Sequence, residues 1–222
     1  MNGDDQLAII IPALREVAAR IRLEQLSSPT PCSEFSVAGV LGHMTSLGSA
    51  FAPMFRGQPP PDDDPAPASG KELSRFDAAM EGLLQAVQSE GALDQTINTP
   101  GGATPGHVFA RLVALDGLVH GWDLASATGQ TWPLPDDLIE EIDGFARQAI
   151  TVQMRDGDAW DAEQTASPEA TPMQRLIAFS GHPVDHVSSA TRSRPIADTS
   201  ANAQRVGAVL PNGAERLGFH CS

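Results

Sequence analysis

The sequence predicts an all-α fold, a four-helix bundle with a short helical extension on its C-terminal side. Three observations favour this class: apolar residues recur at helical spacing, the sequence offers no convincing series of strands, and Pro- and Gly-rich stretches separate the apolar segments. Hydrophobic residues make up 41% of the 222 residues, which is enough for a sizeable core.

Four long apolar stripes form the predicted bundle. They span residues 7–21, 37–55, 73–87 and 108–122. Ser36 is a candidate N-cap of the second helix. Thr104-Pro105 has the residue types of an N-cap and the first helical position, so the fourth helix is predicted to begin there and to end near Gly129. Residues 57–70 are rich in Pro and Asp and are expected to form a solvated linker.

Two further helices are expected after the bundle. One opens near Pro135 and the other at Thr171-Pro172, a pair typical of a helix start. We therefore divide the chain into a helical bundle at residues 5–155, a C-terminal extension with a short helix at 156–183, and a flexible tail at 184–222, where periodicity is lost.

The charge balance excludes some partners. The 28 acidic and 14 basic residues give a net charge of −14, which repels the phosphates of a nucleic acid. No apolar run is long enough for a membrane span, and the N-terminal residues lack the basic region of a secretory signal. Cys32 and Cys221 form no recognisable motif and are expected to be incidental. We expect a cytoplasmic protein, either a monomer or a homodimer.

Polar residues interrupt the apolar fourth helix. Asp116 and His120 are spaced i, i+4 and share a face, and Asp123 continues the same stripe. Burying a carboxylate there would cost several kcal/mol unless another group compensates it. His43 lies at the edge of the apolar stripe of the second helix. If the second and fourth helices face each other, His43 meets Asp116 and His120.

Two imidazoles and one carboxylate suit a divalent metal ion with positions left open. Zn²⁺ is the ion expected first, with Ni²⁺ or Fe²⁺ as alternatives. His43, Asp116 and His120 are the predicted ligands, and Asp123 is predicted to contact a ligand imidazole and orient it. Other interpretations stay open: His43 as an ordinary core histidine, Asp116 and His120 as an intrahelical ion pair, and Asp123 as a partner of a backbone or indole group.

Other motifs give weaker signals. His182 and His186 are spaced i, i+4, but Pro183 lies between them, so this pair is a weak metal signal. The nucleotide-binding Gly-rich loops and the Gly-x-Ser-x-Gly motif of serine hydrolases do not occur.

Three sequence blocks resemble a known family. They are Thr30-Pro-Cys-Ser-Glu-Phe-Ser-Val37, Leu41-Gly-His43-Met and Leu118-Val-His120-Gly-Trp-Asp123-Leu-Ala-Ser-Ala-Thr-Gly-Gln130. Together they resemble the N-terminal metal-binding domain of mycothiol-dependent maleylpyruvate isomerase, which belongs to the DinB/YfiT-like superfamily. The resemblance covers roughly residues 5–155.

The resemblance implies a DinB-like four-helix bundle that holds a metal through His43, a middle ligand and His120. The isomerase has Glu as its middle ligand, whereas this chain has Asp116, which is one methylene shorter. The family implies a low-molecular-weight thiol such as mycothiol as cosubstrate, and an electrophile as its reaction partner. The sequence offers no recognisable counterpart of the isomerase's C-terminal domain, so maleylpyruvate isomerisation itself is not expected.

Three hypotheses about function follow from these observations. The first is a metal-dependent thiol S-transferase or isomerase. The second is a non-catalytic metal- or ligand-binding module, and the third is a structural helical domain without metal. No catalytic base and no substrate-binding residue can be named from the sequence.

Overall fold

A computed structural model describes residues 1–61, 70–99, 102–151, 155 and 160–182. It is mostly helical and confirms the all-α, DinB-like fold. The helices described are α1 (Gly3–Ala19), α2 (Val37–Phe55), α3 (Glu72–Val87), α4 (Gly106–Thr128), α5 (Asp136–Ala149) and α6 (Pro172–Phe179), with short 3₁₀ helices at Leu23–Gln25 and Ala92–Asp94.

Capping residues explain where two of these helices begin. The Ser36 side chain accepts a hydrogen bond from the Gly39 backbone N–H at 3.2 Å, which confirms Ser36 as the N-cap of α2. At α6, the Thr171 side chain accepts from the Gln174 N–H while the Gln174 side chain accepts from the Thr171 N–H. This reciprocal capping box satisfies two backbone donors that the first turn leaves without helical partners.

The start of α4 differs from the prediction. Residues Thr96–Thr99 (β1) and Gly102–Pro105 (β2) pair as an antiparallel hairpin, with Thr104 opposite Ile97. Thr104-Pro105 therefore ends a strand, and α4 starts one residue later at Gly106 with Pro105 as its N-cap. The prediction of Thr104 as N-cap was wrong because its backbone pairs with β1.

The core lies between four helices. α1 packs on α3 and α4, and α2 packs on α3 and α4, while α5 contacts both α4 and α6. α4 is the central helix, and every residue from Val113 to Ala125 is buried. A polar side chain in this stretch is consequently buried whichever way it points, so Asp116, His120 and Asp123 all need compensating partners.

Several expectations fall partly outside the described residues. The predicted tail at 184–222 and residues 62–69 of the linker lie outside them, and the division of the chain at residues 155 and 183 stays a prediction. Cys32 is buried, and the expectation that it is incidental stays a prediction. The other cysteine, Cys221, is also outside the described residues. Within the described part, none of the helices has the length and apolarity that a membrane span requires.

Candidate metal centre

The packing of α2 against α4 brings the three predicted ligands together. His43, Asp116 and His120 each offer one ligand atom, and these atoms all lie within 4.8 Å of one another. Asp116 and His120 are one turn apart on α4, so they face the same direction, and His43 approaches them from α2. The structure therefore places two imidazole nitrogens and a carboxylate oxygen around one point.

Burial differs among the three residues. Asp116 is 6% exposed and His120 is 3% exposed, whereas His43 is half-buried. The His43 and His120 rings meet edge to face at 5.0 Å between centroids, and Phe35 stacks on His43 at 5.3 Å. The cluster is thus enclosed on the α4 side and closest to solvent on the His43 side.

Asp123 orients the His120 ring. The His120 Nδ1 atom lies 3.2 Å from the Asp123 Oδ2 atom, and Asp123 is fully buried. Because a carboxylate can only accept, this contact favours the tautomer with its hydrogen on Nδ1. In the neutral ring the lone pair of Nε2 then faces Asp116, whose Oδ1 atom is 3.5 Å away.

The acidic groups shift the titration of this site. Burial raises the pKa of Asp116 above its ordinary value, with the Asp123 charge adding to the effect and the His120 charge opposing it. Burial alone would lower the pKa of His120, but the carboxylates of Asp116 and Asp123 raise it overall. Both groups therefore keep a proton to higher pH than usual, as expected where negative charge is in excess.

Asp123 behaves differently from Asp116. Burial alone would raise the pKa of Asp123, but the adjacent imidazoles of His120 and His182 lower it below the ordinary value. Asp123 is accordingly the carboxylate that remains ionised. Asp116 is the one whose negative charge lacks sufficient compensation from protein groups.

The donor set fits a divalent cation. Two imidazoles and a carboxylate are ligands that Zn²⁺ takes in sites with an open fourth position, and a Zn–N bond of about 2.0–2.1 Å gives tetrahedral ligand separations of about 3.3–3.4 Å. The 3.5 Å between His120 Nε2 and Asp116 Oδ1 is close to this separation. A lone pair and a carboxylate oxygen at this distance repel each other unless a proton or metal ion lies between them.

One histidine of the site was missed by the sequence reasoning. His182 is 3% exposed, and its Nε2 atom lies 3.5 Å from Asp123 Oδ2, the same oxygen that contacts His120. Because Pro183 lies between His182 and His186, this pair is only a weak signal for a helical metal site. Gly181 directly after an apolar helix, however, is a signal for a helix C-terminus. Of the described residues, His43, Asp116 and His120 come together as predicted, and their roles as ligands stay a prediction.

Comparison with known proteins assigns the bundle to a family. A family model for the mycothiol maleylpyruvate isomerase N-terminal domain matches residues 7–125, which include the three clustered residues. The chain is also 32% identical over 173 residues to uncharacterised proteins of Mycobacterium tuberculosis strains H37Rv and CDC 1551 / Oshkosh, covering 78% of this chain and 93% of each relative. No solved structure matches the chain.

Proposed function

This chain belongs to the mycothiol maleylpyruvate isomerase N-terminal domain family, and on that premise we propose that it binds one divalent metal ion through His43, Asp116 and His120. The observation that carries the proposal is the convergence of two imidazoles and a buried carboxylate within 4.8 Å. A cation at this point would take the place of a proton between His120 Nε2 and Asp116 Oδ1 and would contact both atoms.

Each residue has a distinct task in this proposal. Asp116 supplies the negative charge that balances the ion in a buried place. Asp123 keeps the hydrogen of His120 on Nδ1, so that Nε2 is the atom available to the metal. His43 closes the site from α2, and because it is half-buried we infer that a small molecule approaches from its side.

We extend the proposal to chemistry with a small thiol. A divalent ion with open positions lowers the pKa of a bound thiol, which supplies a thiolate near neutral pH. The family is named for a mycothiol-linked isomerase, so a thiol of the mycothiol type is the proposed cosubstrate. Zn²⁺ is the proposed ion, with Ni²⁺ or Fe²⁺ as alternatives.

Two reactions fit a thiolate and an electrophile. In S-transfer, a sulfur–carbon bond forms, the leaving group departs with its electron pair, and the thiol proton passes to solvent. In isomerisation, the sulfur adds reversibly to a conjugated double bond, the resulting single bond rotates, and elimination restores the thiol. In both reactions the thiol must be deprotonated first, and this is the step that a metal site would assist.

The metal proposal is tested by titrating metal-free protein with Zn²⁺. Wild type should take up about one ion per chain, and His120→Ala should take up none because the site loses a buried ligand. His107→Ala is the matched control, since His107 lies on the same helix and is exposed. Equal uptake by wild type and His120→Ala would contradict the assigned site.

The thiol proposal needs a separate assay. Metal-loaded wild type is incubated with mycothiol and a panel of electrophiles that includes aryl halides, epoxides and conjugated cis-enones, and thiol consumption and isomer ratios are followed. Turnover should disappear in His120→Ala and persist in His107→Ala. Stoichiometric metal binding without turnover on any member of the panel would instead support a non-catalytic metal-binding module.

A further inference from the structure

His182 reaches the metal centre from outside the bundle. It follows α6, and its buried ring is held between two polar atoms: Nδ1 lies 3.1 Å from Ser180 Oγ, and Nε2 lies 3.5 Å from Asp123 Oδ2. Residues 180–182 are beyond residues 7–125, which the family model matches. The contact is therefore not accounted for by the family assignment.

The C-terminus of α6 has the geometry of a Schellman motif. The Gly181 N–H donates to the Ala178 carbonyl oxygen and the His182 N–H donates to the Ile177 carbonyl oxygen, both at 3.1 Å. Gly181 has φ = +98°, which favours glycine, and a Cβ atom there would lie 2.4 Å from the Cβ atom of Asp161. This tight turn gives His182 a defined position.

Asp123 is the point where the two histidines meet. Its Oδ2 atom contacts His120 Nδ1 at 3.2 Å and His182 Nε2 at 3.5 Å, and the residue is fully buried. A buried carboxylate without sufficient donors would be free to change rotamer or to take a proton, and His120 would then lose the partner that sets its tautomer. The His182 Nε2 atom is the second imidazole nitrogen that faces this carboxylate.

We propose that His182 is a positioning residue of the metal centre, acting through Asp123 on His120, and that the Ser180–His182 turn completes the site. Ser180 Oγ faces Nδ1, and Nε2 of His182 faces Asp123. Asp123 in turn holds the His120 hydrogen on Nδ1 and leaves Nε2 for the metal. This inference rests on the proposed metal-binding function.

The test compares two substitutions of His182 in the full-length chain. His182→Leu removes both polar contacts, whereas His182→Gln keeps an amide donor that can face Asp123. Zn²⁺ affinity is measured by competition with a chromophoric chelator, and the Co²⁺ form is examined by its visible absorption spectrum. His107→Gln, an exposed substitution on α4, is the control.

Replacing a residue that holds a metal ligand in place typically lowers metal affinity about 10–100-fold, and we expect a loss of this size for His182→Leu together with a changed Co²⁺ spectrum. His182→Gln should recover most of the affinity. The double variant Asp123→Asn/His182→Leu should bind no more weakly than Asp123→Asn alone, because both changes interrupt one chain of contacts. A packing role for His182 would not produce this rescue or this non-additivity.

The outcomes separate the two proposals. Wild type that takes up no metal overturns the proposed function and this inference with it. Wild type that binds metal while His182→Leu and His182→Gln both bind with wild-type affinity overturns this inference alone. If His182→Leu fails to fold, Ser180→Ala provides the second measurement. It removes the contact at Nδ1 together with the hydrogen bond that the Ser180 hydroxyl donates to the Ile177 carbonyl oxygen. Unchanged affinity and Co²⁺ spectrum in Ser180→Ala would likewise overturn the inference.

Discussion

Replacing Asp116 by Asn distinguishes a metal ligand from a structural ion pair. The change keeps the shape of the side chain and removes the negative charge that lies 3.5 Å from His120 Nε2. Asp116 is 6% exposed, so the estimate for buried charges applies. Losing one partner of a buried charge pair costs about 3–5 kcal/mol, which corresponds to about a 10²- to 10⁴-fold loss of metal affinity.

The stability of the metal-free protein should respond in another way. Burial raises the pKa of Asp116, so its ionised form is unfavourable in the empty site. Asp116→Asn removes that group, and the metal-free variant is therefore expected to be at least as stable as the wild type. If Asp116 served only as a buried partner of His120, the same change would cost about 3–5 kcal/mol in unfolding free energy and would leave metal content unaffected.

Asp116→Glu makes the comparison sharper. Asp116 borders a small cleft whose other lining residues are apolar or glycine. The Glu variant carries the middle ligand of the resembling isomerase and is expected to bind metal with affinity equal to or above that of wild type. The control is Asp143→Asn, which breaks the i, i+4 pair with Arg147 on α5 and should cost about 0.3–0.5 kcal/mol without any effect on metal.

The assays are Zn²⁺ competition titrations and thermal unfolding of the metal-free forms. Asp116 would be ruled out as a ligand if the Glu variant lost the metal while the Asn variant kept it. Asp123 would then be the next candidate on α4.

Three other changes test different parts of the structure. His43→Ala should abolish stoichiometric metal uptake, because α2 then contributes no ligand; retained uptake would show that α4 is sufficient. Zn²⁺ affinity should fall as pH decreases, because protons compete for the imidazoles. Since the pKa of His120 is raised, the affinity should begin to fall at a higher pH than it would for an ordinary histidine. A pH-independent affinity would contradict His120 as a ligand. Gly121→Ala should destabilise the protein by about 1–3 kcal/mol, because the added Cβ atom would lie 2.2 Å from the Trp132 side chain. Gly42→Ala is the control, since the added Cβ atom meets open space, and it should raise stability by up to about 1 kcal/mol. Equal melting temperatures of the two variants would refute the close approach of Gly121 to Trp132.

The helices were predictable because their signal is local. Apolar spacing gave the number and order of the described helices, and the N-caps Ser36 and Thr171 lie where the sequence indicated. The β1–β2 hairpin was not predicted, since each strand has four residues and is largely exposed, which leaves no apolar alternation. Thr104-Pro105 was misread for this reason.

The site was predictable only in part. The i, i+4 spacing placed Asp116 and His120 on one face, and the apolar surroundings indicated that both are buried. The distance from His43 to this pair depends on how α2 packs on α4, which periodicity does not determine. The contact between His182 and Asp123 is harder to predict, because it exists only when the C-terminal extension folds back and places the end of α6 beside Asp123.

The most direct test of the central claim is the metal content of native protein purified without a His-tag, measured by inductively coupled plasma mass spectrometry. The proposed site predicts about one divalent ion per chain in wild type, removed by a chelator and restored by added Zn²⁺. Near-zero metal in native protein that also fails to take up Zn²⁺, Ni²⁺ or Fe²⁺ would contradict it, and the cluster of His43, Asp116 and His120 would then be a buried hydrogen-bonded group of a structural domain.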